Sequence, residues 1–329
     1  MINVAIVGAT GLVGSTFLKV LEEKNLNIDN FVLLASKNSK GKKIKFMRKE
    51  YIVEELSEDS FNNNRFDYAL FSAGGNVSKK YAKIAAKNNC IVIDNSSAFR
   101  LEKDVPLIVP EVNKELIWKN SGIIANPNCS TIQATLPLKV LNDKYEIKRV
   151  VISTYQAVSG AGIFGIEDLE NPDNFDFPKK FNYPIKNNCI PQIDIFMEND
   201  YTKEEMKMIE ETKKILNLPN LKITTTAVRV PVKNCHCESI NVEFEKEFDT
   251  AELKQALNKF ENLVVLDDTK NEVYPLPNFV TGKDEVFVGR IRRDYSVKSG
   301  INMWVVADNI RKGAATNAIQ ILENLINNK

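Results

Sequence analysis

The chain is poor in the side chains that usually ligate transition metals or titrate near neutral pH: its 329 residues contain one histidine, His236, and five cysteines. Cys90, Cys129, Cys189, Cys235 and Cys237 are too few and too scattered for a disulfide framework, and their number is odd, so reduced thiols are expected. An excess of one charge is also missing. The 44 Lys+Arg against 43 Asp+Glu leave a formal net charge of +1, and the two signs interleave along the chain. No basic stripe for nucleic acid follows from that pattern. No run approaches the roughly 18 apolar residues of a membrane span, and Met1-Ile2-Asn3 leads into a strand-like segment without a basic signal-peptide start. The expectation is a cytoplasmic protein with neither a nucleic-acid nor a membrane partner. Internal repeats and low-complexity tracts beyond short Asn runs are absent. What remains, 43% hydrophobic and 26% charged residues, is the composition of a globular protein long enough to split into two domains.

The first half alternates short apolar runs, Val4–Val7, Phe31–Leu34, Tyr68–Phe71, Ile91–Ile93 and Gly122–Ala125, with helical periodicity over Leu12–Glu22 and Val77–Ala86. Short apolar runs bounded by Gly, Asn, Asp or Ser suit strands buried on both faces, so this half predicts a doubly wound, Rossmann-type α/β domain with a parallel sheet. From about Lys148 the strands lengthen and alternate: Val150–Tyr155, Lys222–Val232, Ser239–Phe244, Val286–Ile291 and Asn302–Val306. Alternation predicts a mixed sheet in a second domain of α+β type, with helices over Lys203–Leu216, Thr250–Phe260 and Ile310–Ile326. The expected division is 1–127 plus 310–329 against 128–309. Glu170–Pro184, with three prolines, reads as an irregular excursion.

Gly8-Ala9-Thr10-Gly11-Leu12-Val13-Gly14 lies between the first strand and the first helix, where glycines let a backbone approach a pyrophosphate at a helix N-terminus. A tight turn without ligand is the plain alternative. The second strand runs out into Ala35-Ser36-Lys37-Asn38-Ser39-Lys40 with no carboxylate for a ribose 2′-hydroxyl, which favours NADP(H) over NAD(H). Cys129, in Asn126-Pro127-Asn128-Cys129-Ser130-Thr131, follows a short strand and precedes a helix-like stretch. Unpaired N–H groups and the helix dipole favour a thiolate there, making Cys129 the nucleophile candidate, although a free cysteine is often an inert core residue. The single histidine, His236, limits the acid–base chemistry available near neutral pH. Adjacent Cys235-His236-Cys237 cannot readily ligate one ion tetrahedrally, and no metal is expected.

Along essentially the whole chain the sequence resembles the aspartate-β-semialdehyde dehydrogenases. The resemblance is carried by the Gly8–Gly14 segment, Phe71-Ser72-Ala73-Gly74-Gly75, Asn95-Ser96-Ser97-Ala98-Phe99-Arg100, Asn126–Thr131, the run Ser153-Thr154-Tyr155-Gln156-Ala157-Val158-Ser159-Gly160, and Arg229 with His236. It implies NADPH-dependent reduction of L-aspartyl-4-phosphate to L-aspartate-4-semialdehyde through a thioester on Cys129, in the biosynthesis of lysine (by way of diaminopimelate), threonine and methionine. Within that implication Cys129 is the nucleophile, His236 the acid–base group and Gln156 the residue orienting substrate near the thiol. Arg229 would take the substrate carboxylate, Glu204 its ammonium, and Lys207 and Arg100 the phosphate, with Asn128 holding phosphate or the reacting oxygen. Cofactor neighbours would be Gly8, Thr10, Gly11, Leu12, Val13, Ser36, Ser39, Ser72, Ala73, Gly74, Ser159, Gly160 and Asn309, with Lys37 or Lys40 compensating for Asn38 where many bacterial members have an arginine. Substrate and inorganic phosphate are the small-molecule partners, and a homodimer or tetramer is implied. Two rivals stay open: an N-acetylglutamyl-phosphate reductase, which would need no acidic ammonium ligand such as Glu204, and a nucleotide-sensing paralogue that has lost the chemistry.

Overall fold

A computed structural model describes residues 1–171 and 180–328. The chain forms two compact units, Met1–Asn128 with Ala314–Lys329, and Cys129–Gly313. These divisions follow Asn128 and Gly313, not residues 127 and 309. The second shift has a local cause: the backbone N–H groups of Ile310 and Arg311 donate to the Asp308 carboxylate, Gly313 N–H donates to the Asp308 carbonyl, and Arg311 pairs with Asp284 at 2.9 Å. Residues 310–313 are thereby tied to the second unit.

The first unit runs β1 (Asn3–Val7), α1 (Leu12–Lys24), β2 (Asn30–Ala35), β3 (Lys43–Phe46), β4 (Lys49–Ile52), β5 (Glu54–Glu55), β6 (Tyr68–Phe71), α2 (Gly75–Lys87), β7 (Ile91–Asp94), α3 (Pro110–Asn113) and β8 (Ile123–Ala125). Its six-stranded sheet has the order β5-β2-β1-β6-β7-β8, all pairs parallel. Because β1 pairs with β2 on one side and β6 on the other, the order reverses at β1, and the crevice of a doubly wound sheet opens at the carboxyl end of that strand. Val4, Ile6, Leu33, Leu70, Ile93 and Ile124 from the sheet form one buried core with Ile319, Leu322 and Leu325. The β3–β4 hairpin has no counterpart in the sequence expectation. Its two-residue turn places Met47 and Arg48 at φ 49° and 58°, where Asn-Gly would have advertised it.

The second unit runs α4 (Cys129–Tyr145), β9 (Ile147–Gln156), α5 (Ile163–Glu170), α6 (Lys203–Leu216), β10 (Lys222–Arg229), β11 (His236–Phe244), α7 (Thr250–Asn258), β12 (Leu263–Val265), α8 (Pro277–Val280), β13 (Val286–Arg293) and β14 (Gly300–Ala307); α9 (Asn317–Asn327) then belongs to the first unit. Its sheet has the order β10-β9-β11-β14-β13-β12, parallel at both edges and antiparallel between. One face carries Val150, Ile152, Val242, Ile240, Val305 and Met303, all buried, and α4 packs on it. The excursion expected over Glu170–Pro184 lies largely outside the described residues, and Glu170 ends α5. The helix expected from Ile310 instead begins with a π-helical stretch, Arg311–Thr316, before α9.

Candidate active site

In the first unit every cofactor candidate lies at or just beyond the carboxyl ends of β1, β2 and β6. Gly8 has φ +85°, and a Cβ there would collide with the Ser72 carbonyl, so only glycine fits where the exits of β1 and β6 meet. Gly11 caps α1 without a side-chain acceptor, which leaves the N–H groups around Leu12 and Val13 uncapped by any side chain. Such donors at a helix N-terminus suit a phosphate. Thr10 Oγ1 lies 3.2 Å from Ser39 Oγ, joining the glycine turn to the Lys37–Ser39 turn after β2. Ser36 caps that turn, Ser72 and Ala73 follow β6, and Gly74 caps α2 at φ +88°. Lys40 is held by Glu55 at 3.3 Å. The residues therefore fit a dinucleotide phosphate. Arg100 is also in this unit and largely buried; its Nε and Nη2 donate to the carbonyls of Asn126 and Asn95 at 2.9 and 3.0 Å. Asn128 ends the first of the unit's two chain segments.

The catalytic candidates converge inside the second unit, from residues more than a hundred positions apart. Cys129 is half-buried as the first residue of α4. Gln156 ends β9, Arg229 ends the parallel neighbour β10 in register with it, and His236 begins the antiparallel neighbour β11. Pairing thus brings three strand ends together. Ala157, one residue beyond Gln156, bonds both partners: its N–H donates to His236 Nδ1 at 3.0 Å, and its carbonyl accepts from Arg229 Nη1 at 2.6 Å. A Cβ on Gly160 would come within 3.0 Å of Arg229 Nη1 and 3.1 Å of His236 Nε2, and one on Gly313 within 2.8 Å of Cys129 Cβ. Glycine is what lets those main-chain segments approach.

The helix α6 supplies the acidic side of the cluster. Thr202 caps it through a capping box with Glu205, and the Glu205 carboxylate also accepts from Ala227 N–H at 2.9 Å, fastening the helix to β10. Glu204 is consequently buried: its Oε1 accepts from Gln156 Nε2 at 3.3 Å and its Oε2 pairs with Lys207 at 3.2 Å. Lys207 also pairs with Asp194 at 2.8 Å. This is no solvated surface ion pair. The opposing carboxylates raise the Lys207 pKa despite the desolvation that acts against them as the largest single influence.

Burial sets the charge states. Desolvation, chiefly, and the nearby Arg229 guanidinium push the His236 pKa well below the usual imidazole value, and its Nε2 has no hydrogen-bond partner among the described residues. Desolvation also lowers Arg229, against the favourable fields of Glu204 and Cys129; a guanidinium nevertheless stays charged. Arg229 Nε is buried and unpartnered among the described residues. The thiols of Cys90, Cys235 and Cys237 are pushed up to about 12 by burial and are inert by that measure.

Ser159 and Asn309, expected beside the cofactor, bond each other: Asn309 Nδ2 donates to Ser159 Oγ at 3.0 Å, while Asn309 Oδ1 accepts from Cys235 N–H at 2.9 Å. They anchor the turn that leads into His236, where Cys235 sits at φ 71°. The sequence did not point to Ala157, Glu205 or Asp194 as parts of the site. Nor did it point to Glu238, two residues beyond His236 and fully buried, with the Gln133 amide beside its carboxyl. Alternation along β11 was the available signal, since it turns Glu238 to the same face as His236.

Comparison with known proteins identifies both units. Residues 3–119 match the semialdehyde dehydrogenase NAD binding domain and residues 138–312 the semialdehyde dehydrogenase dimerisation domain. The aspartate-semialdehyde dehydrogenase of Aquifex aeolicus is 54% identical, covering 98% of each chain. Among solved structures, aspartate semialdehyde dehydrogenase II of Vibrio cholerae complexed with ASA has a TM-score of 0.94 at 46% identity over 99% of this chain and 98% of its own. The Candida albicans aspartate semialdehyde dehydrogenase with NADP has a TM-score of 0.77 at 27% identity over 99% and 98%. With a glycine-turn dinucleotide domain, a half-buried thiol beside a buried imidazole and guanidinium, and these matches over nearly its full length, the chain belongs to the aspartate-semialdehyde dehydrogenase family of oxidoreductases.

Proposed function

We propose that the chain catalyses the NADPH-dependent reduction of L-aspartyl-4-phosphate to L-aspartate-4-semialdehyde, and the reverse phosphate-dependent oxidation, in the cytoplasmic biosynthesis of lysine, threonine and methionine. The observation that carries this reading is the joining of Arg229 and His236 through one residue, Ala157, in the unit that also holds Cys129. The Cys129 thiolate adds to the acyl carbon, the bond from that carbon to the phosphate oxygen breaks, and phosphate leaves with the electron pair, giving a thioester. When bound, the nicotinamide cofactor supplies hydride to the thioester carbon. The carbon–sulfur bond then breaks, releasing the aldehyde and restoring the thiolate.

Arg229 suits the substrate carboxylate, with Nε available and the guanidinium already fixed by Ala157. Glu204 suits the ammonium, with Gln156 sharing that carboxylate beside the acyl group. Lys207 and Arg100 suit phosphate, and Asn128, next to the thiol in sequence, the phosphate or the reacting oxygen. The turn after β2, which contains no carboxylate, favours NADP(H). A homodimer through the mixed sheet fits the dimerisation-domain match, because the face opposite α4 leaves Val151, Ser153, Asn241, Asn302 and Trp304 only half-buried.

The test is NADP⁺ reduction with L-aspartate-4-semialdehyde, with and without inorganic phosphate, repeated with N-acetylglutamate semialdehyde and with NAD⁺. Phosphate-dependent turnover of the first aldehyde with NADP⁺ is expected. Turnover of the acylated aldehyde alone would transfer the chain to the reductase reading, and NADPH binding without any turnover would make it a sensor.

A further inference from the structure

We propose that Asp194 is a specificity-determining residue of the reaction: it is the built-in counterion of Lys207, and by occupying that ammonium it sets how weakly the enzyme holds phosphate. That phosphate is the anion Lys207 meets rests on the function proposed above; the counterion geometry does not.

An ammonium offers three donors. Lys207 Nζ donates to Asp194 Oδ2 at 2.8 Å and to Glu204 Oε2 at 3.2 Å, so two of the three are taken before any ligand arrives. The two carboxylates differ in what else they serve. Glu204 is buried and shared with Gln156 at the end of β9. Asp194 lies on the loop before α6 with its side chain 33% exposed, and that loop is shaped to present it. Its φ is 70°, in the left-handed region that Asp tolerates better than most residues. Asp194 Oδ1 accepts from Ile195 N–H at 3.0 Å, and its carbonyl accepts from Gln192 Nε2 at 3.3 Å. The Ile195 carbonyl in turn accepts from Lys203 N–H at 2.8 Å, which fastens the loop to the first turn of the helix that carries Lys207.

Both partners stay charged. Desolvation is the largest influence on each, yet the opposite charges outweigh it, lowering the Asp194 pKa and raising that of Lys207. One ammonium therefore faces two carboxylates, a local charge of −1, and an arriving phosphate brings further negative charge to the same group. Glu204 cannot yield without releasing Gln156 and leaving a buried charge unmatched, so Asp194 is the carboxylate that phosphate must displace or sit beside. With like charges about 5 Å apart and an effective dielectric between about 40 and 80, the opposition weakens phosphate binding by about 4- to 20-fold. A product anion held this loosely leaves quickly in the reductive direction, and in the reverse direction the same opposition raises the KM for phosphate.

Asp194→Asn is the test, because asparagine keeps the size, the tolerance of positive φ and an acceptor for Ile195 N–H while removing the charge. At constant ionic strength the KM for inorganic phosphate in the oxidative direction should fall by about 4- to 20-fold, with the KM for NADP⁺ within about twofold of the parent. Free phosphate should inhibit the reductive direction at correspondingly lower concentration. A merely structural role would not produce this, since damage weakens a site and does not tighten it. A KM for phosphate that is unchanged or raised overturns the proposal. Lys207→Met separates that failure from failure of the phosphate assignment. If it raises the KM for phosphate while Asp194→Asn leaves it unchanged, Lys207 meets phosphate and Asp194 does not oppose it; if neither variant moves that KM, phosphate binds elsewhere and the assignment falls with the proposal. Titration calorimetry of inorganic phosphate into the NADP⁺-bound enzyme makes the same comparison without turnover, for a Lys207→Met protein too slow to assay.

Discussion

The glycine turn after β1 and the cluster at the start of β11 both sit at strand ends, yet they are built from different material. In the first unit the main chain makes the site: glycines at 8 and 11, uncapped helix N–H groups, and hydroxyls from Thr10 and Ser39. In the second unit charged and titratable side chains make it, with Glu204, Arg229 and His236 desolvated together and cross-linked by Gln156 and Ala157. A turn of that kind depends on φ and close approach at a few adjacent residues. A cluster of that kind depends on every strand keeping its register.

The sharpest way to separate the two is Cys129→Ala, which should lower phosphate-dependent turnover by at least about 10³-fold. NADPH affinity, a property assigned to the first unit, should stay within about twofold, and loss of both together would mean that the two sites are not separable.

Gly160→Ala comes next. A Cβ at 3.0 to 3.1 Å from Arg229 and His236 forces one of them to shift by a few tenths of an ångström, and kcat should fall by about 10- to 100-fold without change in Tm. Weakened NADPH binding at normal kcat would instead return Gly160 to the cofactor side. In the first unit, Gly8→Ala meets both a positive φ and the Ser72 carbonyl. It should destabilise that unit by about 1–3 kcal/mol and weaken NADPH binding, read from denaturant unfolding and cofactor titration. Unchanged stability would show that the turn is less constrained than its geometry indicates.

The smallest effect concerns pH. Burial holds the Glu238 carboxyl well above the usual carboxylate range, with the amide of Gln133 only partly opposing it. Folded protein therefore keeps a proton that the unfolded chain releases above about pH 4.3. Stability must fall as pH rises from there toward the folded pKa, because the native state binds the extra proton. Glu238→Gln has no proton to lose, so its Tm should gain on the parent steadily from pH 5 to pH 8. Parallel curves would show that Glu238 is ionised, or that its surroundings in the native state are wetter than described.

Much of the first unit was legible because its signals are local. The runs at Tyr68–Phe71 and Ile91–Ile93 are strands for the reason that both faces are buried, and the Gly8–Gly14 spacing lies between a strand and a helix. The β3–β4 hairpin was not, since Met47 and Arg48 occupy turn positions that neither residue type favours. In the second unit the thiol and the lone histidine could be named from their scarcity and setting. Their neighbours could not: nothing local connects Lys207 to Asp194 or Glu205 to Ala227, and a main-chain donor such as Ala157 has no side-chain signature.

The sequence by itself determined which chemistry is available, because one histidine, one cysteine at a helix start and a glycine turn leave few ways to move a hydride and an acyl group. Only the tertiary structure decided how the groups that carry it are brought together and desolvated. Strand pairing carries His236 to the N–H of Ala157, and a backbone amide leaves the facing nitrogen no choice but to accept.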